Sequence, residues 1–353
     1  MAKPSYLLGD TMNLPTTDSL SASRASPKLA IVAPCYNEAE VLSLSVPKLL
    51  KLLDDLINEH GCDSGSFIVL VDDGSSDTTW SLIADAARGS SGRLAGIKLS
   101  RNAGHQYALM AGLTYVTGLC DAVVSLDVDL QDDLEAMPKM VQQFRQGAEL
   151  VLGVKESRAD DSAGKTYSAL MFYKIMRLMG VNLVENHADC RLMSAKALAN
   201  LAEFPEYFIF LRGLQPLLHK NFVTVKYSLS PRLAGQSKYP LRKMLSLAWN
   251  GITSFSIAPL RLISCIGALV FTFSLVLALH ALFKAVTGAT LPGWASITVP
   301  LYLLGGMLML SIGVVGEYVG KTFLEVKRRP RYLVDEVVTQ QTQCPAPHVD
   351  NSK

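Results

Sequence analysis

Two stretches of the chain, Leu262–Phe283 and Ala295–Val315, contain no formally charged residue. As helices rising 1.5 Å per residue, each would be about 32 Å long, close to the thickness of a bilayer's hydrocarbon core. Tandem uncharged runs of that length are rare as buried helices of a soluble protein, so the sequence predicts a two-helix transmembrane hairpin. Gly305, Gly306, Gly313 and Gly316 would let the helices approach closely. The loop between the runs carries one basic residue, Lys284. The flanks carry Arg242, Lys243 and Arg261 before the hairpin, and Lys321, Lys327, Arg328, Arg329 and Arg331 after it. The positive-inside rule therefore places both flanks, and the region preceding the hairpin, in the cytoplasm. Tyr239–Pro259 mixes basic residues with Leu, Met, Trp249 and Phe255, and reads as amphipathic helices lying in the interface.

The rest of the 353 residues has the size of one large domain. From Lys28 onward, short apolar runs alternate with amphipathic stretches. Leu29–Ala33, Phe67–Val71, Leu94–Leu99, Ala122–Leu126 and Glu149–Val154 read as strands. Glu38–His60, Asp77–Arg88, Gln106–Thr117 and Leu134–Gln146 read as helices. Strands of mostly apolar residues separated by helices imply a largely parallel sheet covered on both faces. The expected division is a disordered Ser/Thr/Pro-rich tail over 1–27, a catalytic domain over 28–238, juxtamembrane helices over 239–260, two transmembrane helices over 261–317 and a cytoplasmic tail over 318–353. The first segment lacks the apolar core of a signal peptide. Charge is nearly balanced, 33 Lys plus Arg against 31 Asp plus Glu, which gives no reason to expect a nucleic-acid partner. The six cysteines form no CxxC pair, which argues against a structural zinc site and suits a reducing compartment.

In open parallel sheets, ligands bind beyond the carboxyl ends of the strands. Three polar motifs fall there: Pro34-Cys35-Tyr36-Asn37-Glu38 after the first strand, Asp72-Asp73-Gly74-Ser75-Ser76-Asp77 after the second, and Asp127-Val128-Asp129-Leu130-Gln131-Asp132-Asp133 after the fourth. Singly, each has an ordinary reading, as a capped turn or a solvated acidic loop. Together at one sheet edge they suggest a site for a cation and a diphosphate. Mg²⁺ or a similar ion takes one or two protein oxygens and completes its shell with phosphate and water. Asp129 and the Gln131 amide oxygen are candidate ligands, leaving Asp73 and Asp127 to accept hydrogen bonds from base or sugar hydroxyls.

These motifs, in this order and spacing, resemble the family 2 glycosyltransferases of the GT-A fold, a Rossmann-like, mostly parallel α/β architecture. The resemblance is closer to the polyprenyl-phosphate glycosyltransferases, which include dolichyl-phosphate mannose synthase and bacterial enzymes that glucosylate undecaprenyl phosphate. It continues through Asp189, Leu192-Met193-Ser194, Arg212-Gly213, Arg232 and Gly235-Gln236-Ser237-Lys238-Tyr239, and covers roughly residues 28–335. It implies a metal-dependent, inverting hexosyl transfer, from a nucleotide-sugar such as UDP-glucose to a polyprenyl phosphate, at the cytoplasmic face of a bacterial membrane. It assigns Pro34, Tyr36, Glu38, Asp72, Asp73 and Asp127 to the nucleotide, Asp129 and Gln131 to Mg²⁺ or Mn²⁺, and Asp189, with Asp127, to the reacting centre. It also implies a homo-oligomer, a tetramer in similar proteins. The family usually has arginine where this chain has Lys155.

A lipid phosphate is largely ionised at neutral pH, so it needs cationic positioning more than a strong base. Lys155, Arg158 and Lys165 follow the fifth strand and precede an apolar stretch, Tyr167–Met179, so they are candidates for an acceptor-phosphate clamp. Arg232, Ser237 and Lys238 are candidates for a loop closing over the diphosphate. Alternatives are a processive polysaccharide synthase, a GDP-mannose-dependent transferase and a silent membrane scaffold. The first normally carries Gln-x-x-Arg-Trp, and this chain has no Arg-Trp dipeptide; the last would be expected to lose the acidic motifs.

Overall fold

In the computed structural model, residues 24–130, 133–155, 174, 187–219, 222–227, 253, 256, 258–287 and 294–339 are described. Strand β1 (Leu29–Cys35) is buried at all seven positions, as a central strand covered on both faces must be. Strands β2 (Phe67–Asp72) and β4 (Ala122–Ser125) flank it in parallel, and β3 (Leu94–Leu99) extends the sheet beyond β2. Helices α1 (Ala39–Asn58), α2 (Thr79–Gly89) and α3 (His105–Val116) connect them, and α4 (Ala136–Arg145) follows β4. These bounds lie within two residues of those read from hydrophobic periodicity.

Side chains alternate across β1. Leu29, Ile31 and Ala33 join a core layer with α1, α2 and α4, through Leu49, Leu53, Ile83 and Met137. Ala30 and Val32 face a second layer containing Leu109 and Leu113 of α3. Leu198 of α5 (Ala195–Ala202) and Leu214 of α6 (Leu211–Leu218) complete that layer. Leu42, Leu49, Leu53 and Leu56 repeat at helical spacing along α1 and are all buried, each contributing about 1.5–3 kcal/mol relative to exposure.

The other half of the sheet is mixed. Strand β6 (His187–Ser194) runs antiparallel between β4 and β5 (Leu150–Lys155), and β7 (Val223–Tyr227) lies parallel to β5 at the edge. At the opposite edge β8 (Val334–Val338) pairs antiparallel with β3. Among the described residues the order is β7-β5-β6-β4-β1-β2-β3-β8. None of β6, β7 and β8 was identified from the sequence, and β8 falls within the segment read as a cytoplasmic tail. The end of the segment read as a disordered tail is also held: Arg24 donates to the Phe144 carbonyl (3.1 Å) and pairs with Glu149 (2.5 Å).

Helices α7 (Ala258–Val286) and α8 (Trp294–Lys327) contain the two expected spans. Among the described residues one stretch, Leu304–Lys327, is long and apolar enough to cross a membrane by length and composition, where the sequence analysis expected a pair. Leu269, Phe273, Ile297, Leu308 and Leu310 are exposed on these helices, which suits lipid better than water. The juxtamembrane stretch Tyr239–Pro259 and the apolar stretch Tyr167–Met179 lie mostly outside the described residues.

Helix α3 approaches the sheet closely because Gly112 has no side chain there. A Cβ at this position would meet Val32 Cγ1 at 2.4 Å and Val71 Cγ2 at 2.9 Å, both on stiff β-branched residues. Gly112→Ala is therefore expected to destabilise the domain by about 1–3 kcal/mol. Denaturant unfolding of the full chain in detergent measures this; an unchanged midpoint would show that α3 lifts from the sheet without strain.

Candidate active site

The carboxyl ends of β1, β2 and β4 open on one edge of the sheet, so the three sequence motifs meet there. Because β6 is antiparallel to β4, its beginning lies at that same edge. Ser125 pairs with Arg191, and the Ser125 hydroxyl donates to the Asp189 carbonyl at 2.9 Å. This puts Asp189 beside the acidic loop that follows β4. Lys155, the last residue of β5, lies at the same edge, where Val154 pairs with His187.

The first two motifs interlock through hydrogen bonds. Asn37 N donates to Ser75 Oγ, Glu38 N to Thr79 Oγ1, and Ser76 N to Asn37 Oδ1, each at 2.9 Å. Asn37 takes a positive φ of 53°, a conformation asparagine tolerates. Asp77 accepts from Ala39 N and Thr79 N, closing the first turns of α1 and α2. Asp72 is wholly buried and accepts from Ser75 N at 3.3 Å; burial outweighs that bond and raises its carboxyl pKa.

Asp73 braces the next loop along. Its two oxygens accept from Ala103 N at 2.7 Å and Gly104 N at 2.9 Å. Burial raises its pKa in spite of these bonds. Gly74 fits the same contact: its φ is +66°, and a Cβ would lie 2.5 Å from the Arg101 carbonyl carbon. Asp73, expected at the nucleotide, also fixes the start of α3 through these two bonds. There His105 begins the helix and points Nε2 at Asp127 Oδ1, 3.6 Å away.

Asp189 lies between two arginines. Its Oδ1 accepts from Arg191 Nη2 at 3.1 Å and Arg212 Nε at 3.3 Å, and its Oδ2 accepts from Arg212 Nη2 at 2.8 Å. Burial alone would raise its pKa, but the charges of Arg212 and Arg191 outweigh it and hold the carboxyl well below the usual range. Arg191 is only 1% exposed, a buried cation that requires this counter-charge. Neighbouring His187 is pushed down to about 3, first by burial and then by the same two arginines, so its imidazole is neutral at physiological pH.

Ligand-type atoms of His105, Asp127 and Asp189 lie within 4.8 Å of one another, close enough to share one cation. Carboxylate oxygens with one imidazole suit Mg²⁺ or Mn²⁺, the imidazole favouring Mn²⁺. Of the two carboxylates, Asp189 is already engaged by two guanidiniums. Asp129 lies two residues beyond Asp127, half-buried, before Leu130 turns the chain with a φ of 48°.

Pro34 is buried at the end of β1, Tyr36 is exposed beyond it, and Glu38 precedes α1 half-buried. Gln131, Arg158, Lys165, Arg232, Ser237 and Lys238 lie outside the described residues. Sequence reasoning did not single out His105 or Arg191. His105 could have been found by applying the strand-end rule to β3 as well, since Gly104 precedes a helix there. Arg191 gave no such signal, because a charged residue in an unrecognised strand reads as surface.

Residues 30–202 match the family model described as "Glycosyl transferase family 2". An uncharacterized glycosyltransferase of Bacillus subtilis, YkoT, is 44% identical over 88% of this chain and 92% of its own. The bactoprenol glucosyl transferase of Shigella phage SfX is 35% identical over 87% of this chain and 98% of its own. Among solved structures, glucosyl-3-phosphoglycerate synthase from Mycobacterium tuberculosis covers 69% of this chain and 84% of its own at 16% identity and a TM-score of 0.43, too distant to bear on substrate or metal. With a matching family domain and relatives aligned along nearly their full lengths, the chain belongs to glycosyl transferase family 2.

Proposed function

We propose that this enzyme transfers a glucosyl unit from UDP-glucose to a polyprenyl phosphate, of the undecaprenyl type, at the cytoplasmic face of a bacterial membrane. The observation that carries this reading is the extent of the match to the bactoprenol glucosyl transferases. It runs over 98% of one such relative, well beyond the residues of the family domain. A catalytic domain alone would suit many acceptors; one joined to membrane-length helices suits an acceptor that stays in the bilayer. Helices α7 and α8 would then form a hairpin crossing the membrane twice.

In this reading Asp129 and Gln131 hold Mg²⁺ or Mn²⁺ beside Asp127 and His105. When bound, the cation neutralises charge building on the departing nucleoside diphosphate. Pro34, Tyr36, Glu38, Asp72 and Asp73 form the nucleotide side of the site, and Asp127 accepts hydrogen bonds from donor hydroxyls. Asp73 sets the α3 terminus from which His105 reaches the site. Lys155, Arg158 and Lys165 hold the acceptor phosphate, while Arg232, Ser237 and Lys238 close over the diphosphate. A phosphate oxygen attacks the anomeric carbon as the bond to the diphosphate oxygen breaks on the opposite side, so an α-linked donor gives a β-linked product. Asp189, held ionised by its arginines, orients cationic groups around the acceptor and is poorly suited to take a proton.

Full-length protein in bilayer discs, given undecaprenyl phosphate and a panel of nucleotide-sugars, tests this. A glucosylated lipid from UDP-glucose, lost with chelator and restored by Mn²⁺ or Mg²⁺, is expected. No lipid product from any donor would overturn the reading, and product from GDP-mannose alone would reassign the sugar. Asp129→Ala should reduce transfer by about a hundredfold or more; full activity would refute its assignment. Arg158→Ala should raise the KM for the lipid well above any change for the donor, and the reverse would reject the clamp.

A further inference from the structure

Between α5 and α6 the chain makes a short joint, and three elements grip it. From α3, Tyr107 Oη donates to the Tyr207 carbonyl at 2.5 Å, and the Gln106 side-chain oxygen accepts from Leu211 N, the first residue of α6, at 3.2 Å. From beyond α8, Arg331 donates to the Phe204 carbonyl at 3.0 Å. From the last turns of α8 itself, the Glu325 carboxylate accepts from Tyr207 N at 2.9 Å to each oxygen and from Phe208 N at 3.3 Å. Lys321, one turn earlier on α8, lies over the Phe208 ring at 5.2 Å. The next residue after Leu211 is Arg212, whose guanidinium forks onto Asp189.

We propose that Glu325 is a positioning residue: by holding the Tyr207–Phe208 backbone, it makes the placement of Arg212 against Asp189 depend on the seating of the membrane-length helix α8. The inference rests on the lipid-directed transfer proposed above. Hydrogen bonds to a carboxylate are short and about twice as strong as neutral ones, so a single glutamate can fix two consecutive amides. Only three residues separate Phe208 from Arg212, which leaves little slack between membrane helix and guanidinium. Misplacing a catalytic group by about 1 Å can cost a hundredfold in rate.

Attachment does not depend on Glu325. Strand β8 is laddered onto β3, Lys98 pairs with Asp335 at 3.4 Å, and Trp80 Nε1 donates to Glu336 at 3.2 Å. Those contacts keep the end of α8 on the domain whatever residue stands at 325. Losing Glu325 should therefore disturb the joint more than the fold.

The test uses the full chain in bilayer discs, with Glu325→Ala, Glu325→Gln, Arg212→Lys and the Glu325→Ala/Arg212→Lys pair. Glu325→Ala is expected to lower kcat for lipid transfer about tenfold, with the donor KM and unfolding midpoint little changed. Glu325→Gln, which keeps an acceptor oxygen, should recover much of that loss. If Glu325 acts through Arg212, the double variant should be hardly worse than Arg212→Lys alone. Wild-type turnover in Glu325→Ala, or losses that multiply in the double variant, would overturn the proposal. Amide hydrogen exchange supplies a readout free of the assay: faster exchange at Tyr207, Phe208 and Leu211 in Glu325→Ala supports the joint, and unchanged exchange overturns it. A wild-type chain that transfers no sugar would remove the functional reading, and exchange would still decide whether Glu325 holds the joint.

Discussion

The guanidinium of Arg191 is almost completely removed from water, and a buried cation persists only where an anion and hydrogen-bond acceptors meet it. That requirement links the two halves of the domain. Asp189 supplies the charge from two residues earlier on the same strand, and Arg212 approaches from α6 to complete the group. The sheet register on one side and the start of α6 on the other must both be correct for the three charges to meet. Removing one partner would leave charge stranded in a poorly solvated place, so the cluster favours a single arrangement of strand, helix and acidic loop.

Around that cluster, the sheet edge is shaped chiefly by bonds among the motifs themselves. Asn37, Ser75, Ser76, Asp77 and Thr79 form a lattice that ties the first strand-end loop to the second. Asp73 ties the second to the third. The floor of the site is therefore preorganised before any ligand arrives, which reduces the reorganisation left to the reaction.

Elements dominated by hydrophobic periodicity were legible in the sequence, because β1 to β5 and α1 to α4 bury apolar residues at regular intervals. Strand β6 was not, since His187, Asp189 and Arg191 break the apolar run that marks a buried strand; here ion pairing overrides the pattern. Strand β8, with Asp335 and Glu336 in its middle, reads as a charged tail and becomes a strand only through the free edge of β3. The site was legible as a location and less so as a set of roles. Sequence order alone does not show that Asp73 also holds two backbone amides of the loop before α3.

The pairing of Gly96 with Val338 joins a strand from the first third of the chain to one made after both long helices. Until that last strand emerges, β3 presents an open ladder of backbone groups, the kind of edge that recruits stray strands. The sheet can be finished only once synthesis has passed through α7 and α8. Completion of the sheet is thus chronologically tied to synthesis of the two apolar helices, and a chain truncated before β8 would carry an adhesive flank.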